Sequence, residues 1–345
     1  MSEHTARWRW TWRRRFTYLT IAVTATLISW GGWVTSIEAG LAVPDWPATF
    51  GSYDPFRTGM YDPNDPSVRW WLNIPVLAEH GHRLLGALVG MLTMVLAGWT
   101  WWADSRNWMR KLGLFALFLV TAQGILGGLR VTELSSVLAA VHACTAQLFF
   151  ALLVSMAIFT TDTWRNRRGL LPNTGRGRTM RALAWAAAIG VYVQIVVGAM
   201  LRHSTQTLSG SFAILHIAGA FVVTGLIFAA FVYVQKHWSD SQPVRLSAWV
   251  VLVAVGMQFA LGLAAYLVLI HETALQVRST AQVLLTVSHL VVGAILFVST
   301  IALALWSHRL VPTTDEVQPA FAGDTGVPHS EPLLSAEHPA SQSSS

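Results

Sequence analysis

The sequence predicts an all-α protein that crosses a membrane several times. Of its 345 residues, 53% are apolar and only 12% are charged, which is about half the charged fraction of a soluble domain. The apolar residues fall into eight runs, each close to the roughly 20 residues that a helix needs to span a bilayer. Many of the 17 tryptophans lie near the ends of these runs, as in interfacial aromatic belts. We therefore expect a polytopic membrane protein with eight transmembrane helices.

The apolar runs define the predicted helices and the polar segments between them. Residues 1–15 are basic and rich in tryptophan, and residues 307–345 form a predicted disordered tail. The longest connection is loop 38–78, whose prolines and aspartates are typical of turns. A polar linker, 162–180, separates the first four helices from the last four. The runs cover residues 16–37, 79–102, 110–130, 136–161, 181–201, 211–234, 246–270 and 280–306.

The distribution of positive charge predicts the orientation. The N-terminus, the loops 103–111, 162–181 and 235–246, and the start of the tail contain 17 of the 23 lysines and arginines. By the positive-inside rule, both termini are cytoplasmic and loop 38–78 faces outward. Basic residues confined to such short loops do not indicate nucleic-acid binding. Because the basic N-terminus runs directly into a spanning helix without a visible transit peptide, we expect a bacterial plasma membrane.

The stretch Glu79-His80-Gly81-His82-Arg83 opens predicted helix 2 with ionisable side chains. At about 100° per residue, Glu79, His82 and Arg83 share one face of that helix, and His80 points elsewhere. Ionisable groups at membrane depth are costly and usually mark function, although a position in the headgroup zone is the alternative. The adjoining outer loop is accordingly expected to be a functional cover, with a plain connector as the alternative.

The helix pairs repeat one pattern. Helices 3, 5 and 7 each contain a glutamine followed four residues later by a glycine, which we interpret as positions of close helix contact. Each even-numbered helix has one histidine near its outer start. We interpret the pairs as copies of one hairpin, and residues 16–161 and 181–306 as two tandem, pseudo-symmetric four-helix bundles. The glutamine–glycine pairs are Gln123 with Gly127, Gln194 with Gly198, and Gln258 with Gly262.

One histidine per even helix at matched depth predicts bound haem. Neutral imidazole binds metals, and axial histidines on facing helices hold haem iron. Pairing within a bundle joins His82 with His142 and His216 with His289. Copper and zinc sites are disfavoured because thiolate and thioether ligands are absent from the pattern.

Outer-end arginines are candidates to pair with haem propionates. Arg83, Arg130 and Arg202 lie near the level of the histidines, and snorkelling to the interface is the alternative role. The other histidines of this end are interpreted as surface residues. They are His80, His203 and His271.

A carboxylate distinguishes the two predicted haem sites. Glu79 precedes His82 by one helical turn, whereas Ala213 and Thr286 occupy that position in the second bundle. Glu79 could transfer protons or stabilise developing positive charge, which predicts a redox enzyme with one reactive site and one electron relay. A di-haem b-type cytochrome for membrane electron transfer is the main alternative, but it leaves Glu79 unexplained. A haem transporter or chaperone is the second alternative.

Three motifs resemble the haem A synthase family, and the resemblance covers about residues 16–306. The first is Gly40-Leu41-Ala42-Val43-Pro44-Asp45-Trp46-Pro47, which follows helix 1. The second is Glu79-His80-Gly81-His82-Arg83. The third is Gln123-Gly124-Ile125-Leu126-Gly127-Gly128, followed by His142.

This resemblance implies a membrane oxidoreductase that oxidises the C8 methyl group of haem O to the formyl group of haem A for cytochrome oxidase assembly. It implies substrate haem O near His82 and His142, and a haem B cofactor held by His216 and His289. It also implies that Glu79 is needed for the chemistry, by stabilising a cationic intermediate at the oxidised carbon. Expected partners are a haem O synthase, terminal oxidase assembly factors, membrane lipids and further copies of the chain.

One departure from the family pattern concerns cysteine. Some members have a cysteine pair in the first outer loop, whereas Cys144 is the one cysteine of this sequence and lies in an apolar run. A mechanism that passes electrons through a loop disulfide therefore cannot operate in this chain. The sequence is identified as a cysteine-free subtype, and its electron acceptor is left open.

Overall fold

The structure is a computed structural model, and it describes residues 3–54, 69–166, 176–203, 206–275 and 279–311. Most of the predicted tail, the middle of the linker and part of the long outer loop lie outside the described residues. The disorder expected of the tail therefore stays a prediction.

Eight described helices are long and apolar enough to cross a membrane. The described residues also include the short 3-10 turn Trp70–Leu72 and the short helix Asp162–Asn166, and they contain no strand beyond the single bridge between Thr49 and Ser52. The all-α, eight-helix fold class is thus confirmed. The helices are α1 (Glu3–Ser36), α2 (Ile74–Ala103), α3 (Asn107–Thr132), α4 (Ser136–Phe159), α5 (Gly177–His203), α6 (Gln206–His237), α7 (Gln242–Leu275) and α8 (Thr280–Leu310).

Several helices extend beyond the apolar runs. α1 begins at Glu3, inside the segment predicted as a basic N-terminus, and α8 continues past the predicted start of the tail at residue 307. Hydropathy marks only the part of a helix suited to lipid or to a protein core, whereas arginine and other polar residues also favour helix. The predicted boundaries were therefore too narrow at these ends.

The start of α2 also differs from the prediction. The Asn73 side chain accepts a hydrogen bond from the Val76 N–H at 3.1 Å, and Pro75 lies in the first turn. Both features are typical of helix N-termini. Glu79 therefore lies in the second turn of α2, and not at its opening.

Helix contacts divide the chain into two halves. α1 and α3 each contact α2 and α4, and in the same way α5 and α7 each contact α6 and α8. The halves meet where α1 contacts α8 and where α4 contacts α5 and α8. The arrangement as two tandem, pseudo-symmetric four-helix bundles stays a prediction. The buried core of the first half includes Val89, Leu96 and Leu153, and that of the second includes Ala187, Ile227 and Leu303.

A buried ion pair ties the helices together at one end of the first half. We call this the inner end, and the end that contains Glu79 the outer end. The Arg13 guanidinium of α1 lies 3.0 Å from the Asp104 carboxylate, and both side chains are buried. Arg106 binds the same carboxylate through two nitrogens, at 2.9 and 2.8 Å, and donates to the Phe159 carbonyl of α4. Burial raises the pKa of Asp104, but the hydrogen bonds and charges of the two arginines outweigh burial and hold that pKa below its ordinary value.

Candidate functional site

The four predicted haem histidines pack against equivalent glycines, and we call each of these glycine positions a glycine seat. Each imidazole places its Cε1 atom against a glycine of the preceding helix, so that a Cβ atom added there would lie 2.8 to 3.2 Å from it. Carbon atoms are normally at least about 3.5 Å apart, so any side chain at the glycine would push the ring away. The pairs are Gly31 with His82, Gly127 with His142, Gly198 with His216, and Gly262 with His289.

Gly31 is the member of this set that the sequence pattern missed. The predicted repeat depends on a glutamine four residues before each glycine, and α1 has Leu27 at that position. A search for glycine alone, at the level of the histidine on the next helix, would have found it. The structure thus shows a glycine seat for the histidine of each of the four hairpins.

In the second half, His216 and His289 face each other. Their ring centres are 6.2 Å apart and their planes are inclined by 78°. The Nδ1 atom of His289 lies 3.1 Å from the Gln258 backbone oxygen, and its Nε2 atom lies 3.1 Å from the Gln258 amide nitrogen. An Nδ1–H that donates to a carbonyl leaves Nε2 without hydrogen, which is the form that binds a metal.

The spacing of His216 and His289 fits two axial ligands of one iron. A metal–imidazole bond measures about 2 Å and the ring nitrogen lies about 1 Å from the ring centre, so two opposed ligands place their ring centres about 6 Å apart. The distance of 6.2 Å agrees with this requirement. The Gln258 amide has to turn away from Nε2 for such an ion to bind.

In the first half, His82 and His142 lie within electrostatic range of each other, and Arg130 lies within range of both. The side-chain amide of Gln123 is 3.0 Å from His142 Nδ1 and also contacts the Thr145 hydroxyl. The Nδ1 atom of His82 is buried and has no hydrogen-bond partner among the described residues. The structure thus brings together the two histidines and Arg130, and Arg83 also lies within electrostatic range of His82.

Glu79 is buried at the outer end of the first half, with only 2% of its surface exposed. One carboxylate oxygen accepts a hydrogen bond from the Val43 N–H at 2.8 Å, and the other accepts one from Arg83 at 3.0 Å. Hydrogen bonds to a charged group are roughly twice as strong as neutral ones. Glu79 therefore fixes the beginning of the outer loop to α2.

Arg83 extends this attachment of the loop. Its guanidinium donates to the backbone carbonyls of Val43, Asp45 and Ala48 at 2.8, 2.6 and 3.1 Å, in addition to its bond to Glu79. Both terminal nitrogens are thus engaged. The geometry favours a loop-holding role for Arg83, and its predicted contact with a haem propionate stays a prediction.

The loop is further ordered by Asp45. The Asp45 carboxylate accepts hydrogen bonds from the Phe50 and Gly51 N–H groups, each at 2.8 Å. Burial raises the pKa of Asp45, but these N–H groups and the charge of Arg83 outweigh burial, so the pKa lies below its ordinary value. The Asp45 carboxylate therefore stabilises the loop internally, in addition to the attachment of the loop to α2.

The same loop reaches across to α3. The Trp46 indole lies so close to Gly128 that no Cβ atom would fit between them, and the Arg130 guanidinium packs against Gly40. A cleft of about 220 Å³ lies beside these contacts and is lined by Trp46, Tyr53 and other loop residues. The described part of the outer loop thus lies over the outer end of the first half, and its expected function as a cover stays a prediction.

Arg202 lies apart from the first-half cluster. It is exposed at the outer end of α5, and one of its terminal nitrogens donates to the Ser36 hydroxyl of α1 at 2.9 Å. This bond links the two halves. Its predicted contact with a haem propionate stays a prediction.

The prediction that His80 lies at the surface is wrong. The residue is only 3% exposed, and its ring meets the Trp70 ring edge-on at 4.6 Å. The cause is the 3-10 turn before α2, which folds an aromatic side chain over the helix and cannot be inferred from helical periodicity. His203 is partly buried, whereas His271 is exposed as predicted.

Comparison with known proteins identifies the family. A family model described as COX15-CtaA, cytochrome oxidase assembly protein, matches residues 14–215, which is more than half of the chain. The chain belongs to this family. The matched segment contains Glu79, His82 and His142 with the outer loop, and it ends one residue before His216.

Several curated relatives carry the name heme A synthase. The Shouchella clausii protein is 25% identical over 243 residues, which cover 64% of this chain and 75% of that protein. The Bacillus licheniformis protein is 25% identical over 269 residues, covering 71% and 82% respectively. The Lysinibacillus sphaericus protein is 28% identical over 183 residues, and here the chain spans about half (54%) of the relative's length.

Proposed function

We propose that this protein is a haem A synthase, a membrane oxidoreductase that converts the C8 methyl group of haem O to the formyl group of haem A for cytochrome oxidase assembly. The observation that carries the proposal is a buried carboxylate, Glu79, one turn from His82 at the covered outer end of the first half. A cytochrome that only transfers electrons does not require a buried carboxylate beside the histidines of one half alone. The names of the curated relatives support the same conclusion.

The first half is the proposed substrate site. His82 and His142 would hold the iron of haem O, and Arg130, which is within electrostatic range of both, would pair with a propionate. Glu79 places a negative charge beside this site, where it lowers the energy of positive charge that develops on the substrate during oxidation.

The second half is the proposed cofactor site. The ring spacing of His216 and His289 and the Gln258 carbonyl on His289 Nδ1 support a firmly held bis-histidine haem B. Haem B bound there would supply one-electron transfer. Gly198 and Gly262 set the positions of the two rings, and Arg202 lies at the matching outer level.

The redox balance requires an external electron acceptor. A methyl group and one water molecule yield a formyl group, four protons and four electrons. The chain has a single cysteine and so cannot form an intrachain disulfide that could take the electrons. We place the protein in a bacterial plasma membrane with both termini cytoplasmic, because the arginine-rich loops lie at the inner end. Expected partners are a haem O synthase and oxidase assembly factors.

The test is acid–acetone extraction of haem from protein purified from cells that also express a haem O synthase, followed by chromatography and mass analysis. Haem B together with haem O, its hydroxylated form or haem A is the expected result. Haem B alone, with haem O available in the cells, would instead favour the di-haem cytochrome. Bound haem O that is never converted, under conditions where oxidase matures in the same cells, would favour the haem chaperone.

A further inference from the structure

His203 lies at the outer end of α5 and is turned away from the haem histidines of its own half. Gly198 of α5 faces His216, since a Cβ atom added to this glycine would lie 3.1 Å from His216 Cε1. His203 follows Gly198 by five positions, which is about 140° around a helix of 3.6 residues per turn. It is half-buried, and Arg130 of the first half lies within electrostatic range of it. His203 therefore lies at the boundary between the two halves.

Two arginines from opposite halves reach the end of α1 beside this histidine. Arg202, the neighbour of His203 in the chain, donates to the Ser36 hydroxyl at 2.9 Å. Arg130 packs against Gly40, where an added Cβ atom would lie 3.1 Å from a terminal nitrogen of the guanidinium. Ser36 and Gly40 are only four positions apart, so α3 and α5 each bring a cation to the same short stretch. We call Arg130, Arg202 and His203 the outer cation cluster.

The described carboxylates do not neutralise Arg130. Glu79 lies within electrostatic range of Arg130, but its two oxygens already accept hydrogen bonds from the Val43 N–H and from Arg83. Glu133, three positions after Arg130, is exposed, and Arg130 forms no ion pair with a carboxylate of the described residues. Burial of a charged group is costly unless an opposite charge accompanies it. The outer cation cluster therefore favours an anion that the chain itself does not supply.

Haem O carries anions of the required kind. Its two propionate side chains lie on one edge of the porphyrin, and the C8 methyl group is the neighbour of one of them on the rim. A residue that holds the propionates therefore also fixes where the C8 methyl group lies. Arg130 is within electrostatic range of both Glu79 and His82, so a propionate held at Arg130 would place this edge of the substrate on the side of Glu79.

We propose that His203 binds a propionate of the substrate haem, so that the second half supplies part of the substrate site of the first. The inference rests on the proposed function. Arg130 would hold one propionate and His203 the other, because the two side chains approach each other from α3 and α5. An imidazole N–H can donate to a carboxylate in both the neutral and the protonated ring. The bound substrate would then link the two halves, next to the bond between Arg202 and Ser36.

The main experiment titrates haem O into full-length protein purified from cells that make haem B but no haem O. The dissociation constant is measured from the change in absorbance. We expect His203→Ala to weaken haem O binding by about 10-fold to 100-fold, the usual effect of losing a hydrogen bond to a charged group. His203→Gln keeps an N–H donor and should lose less. His271→Ala is the matched control, because His271 is an exposed histidine at the same end, and it should bind haem O as the wild type does.

A second probe separates substrate binding from a structural role. In haem O dimethyl ester the propionates carry no charge, so the wild type should bind the ester more weakly than the free acid. We expect His203→Ala to bind the ester as the wild type does, because the interaction that it removes is already absent. A residue that only supports the fold would change the binding of acid and ester alike. The spectrum of haem B in the second half is the folding control and should be the same in all variants.

Equal affinity of the wild type and His203→Ala for haem O would overturn the inference, and so would an equal loss for the acid and the ester. Loss of haem B from His203→Ala, with haem O binding retained, would assign the residue to the site of its own half and would also overturn it. A wild-type protein that binds no haem O would instead refute the proposed function, so the two failures are distinguishable.

Discussion

Replacing Gly262 by alanine tests whether the glycine seats position the haem ligands. The added Cβ atom would lie 2.8 Å from His289 Cε1, which is 0.6 Å inside the 3.4 Å at which ordinary contact begins. Because the Cβ atom is rigidly attached to α7, the ring has to move by at least about this distance. Ligands of a working site must be held to within about 0.5 Å, so the displacement is large enough to disrupt the pair with His216.

The cost in stability is smaller than the cost in haem binding. Overpacking of a core typically costs about 1–3 kcal/mol. Alanine offsets part of this cost, because it favours helix over glycine by about 1 kcal/mol. We therefore expect Gly262→Ala to fold, with a loss of at most about 2 kcal/mol, and to retain several-fold less haem B.

Gly256→Ala is the matched control, since it lies on the same helix and a Cβ atom there meets nothing within 4 Å. It should keep the haem B spectrum and unfold at an equal or higher temperature. In α3, Gly127→Ala and Gly124→Ala form the corresponding pair, with substrate haem as the readout. The assay is haem content per protein with the low-spin absorbance spectrum. Equal haem content in Gly262→Ala and Gly256→Ala would refute the role of Gly262 in positioning His289.

Four further predictions concern other parts of the molecule. Glu79→Ala should keep haem B and abolish haem A formation, and full synthase activity in that variant would exclude the role given to Glu79. His216→Ala and His289→Ala should each lose the resident haem B spectrum, and an unchanged low-spin spectrum in both would show that the ligands are misassigned. Gly128→Ala should expel Trp46 and loosen the outer loop, so that an impermeant maleimide labels Ser52→Cys faster in a Cys144→Ser background, whereas Gly124→Ala should not change the labelling rate. Asp104→Asn leaves the Arg13 charge buried and should lower the free energy of unfolding by about 3–5 kcal/mol, against about 0–1 kcal/mol for the exposed Asp162→Asn. The pKa of Asp104 is lowered in the folded protein, so its contribution to stability is complete above the ordinary carboxyl pKa of about 4 and is lost as the pH falls through the lowered value. The unfolding temperature of the wild type should therefore fall in acid. Asp104→Asn should lack this part of the pH dependence.

The sequence by itself determined the number of membrane helices and the likeness of the four hairpins. Bilayer thickness sets the length of an apolar run, so eight runs of that length specify eight helices before any contact is known. The spacing of glutamine and glycine, and one histidine per even helix, likewise depend only on positions along single helices. The predicted pairs of His82 with His142 and His216 with His289 follow from this order along the chain.

Only the tertiary structure decided which groups meet. Gly31 was missed because its role is defined by a ring on the next helix, and His80 was misplaced because an aromatic turn outside the helix covers it. The sequence also did not show that the Arg83 nitrogens donate to loop carbonyls about 40 positions earlier in the chain, and the predicted contact of Arg83 with a haem propionate stays a prediction. Periodicity along a helix shows which face a residue occupies. The partner on that face depends on how distant segments of the chain fold back. Because buried polar groups need hydrogen bonds, they favour the arrangements that supply a partner.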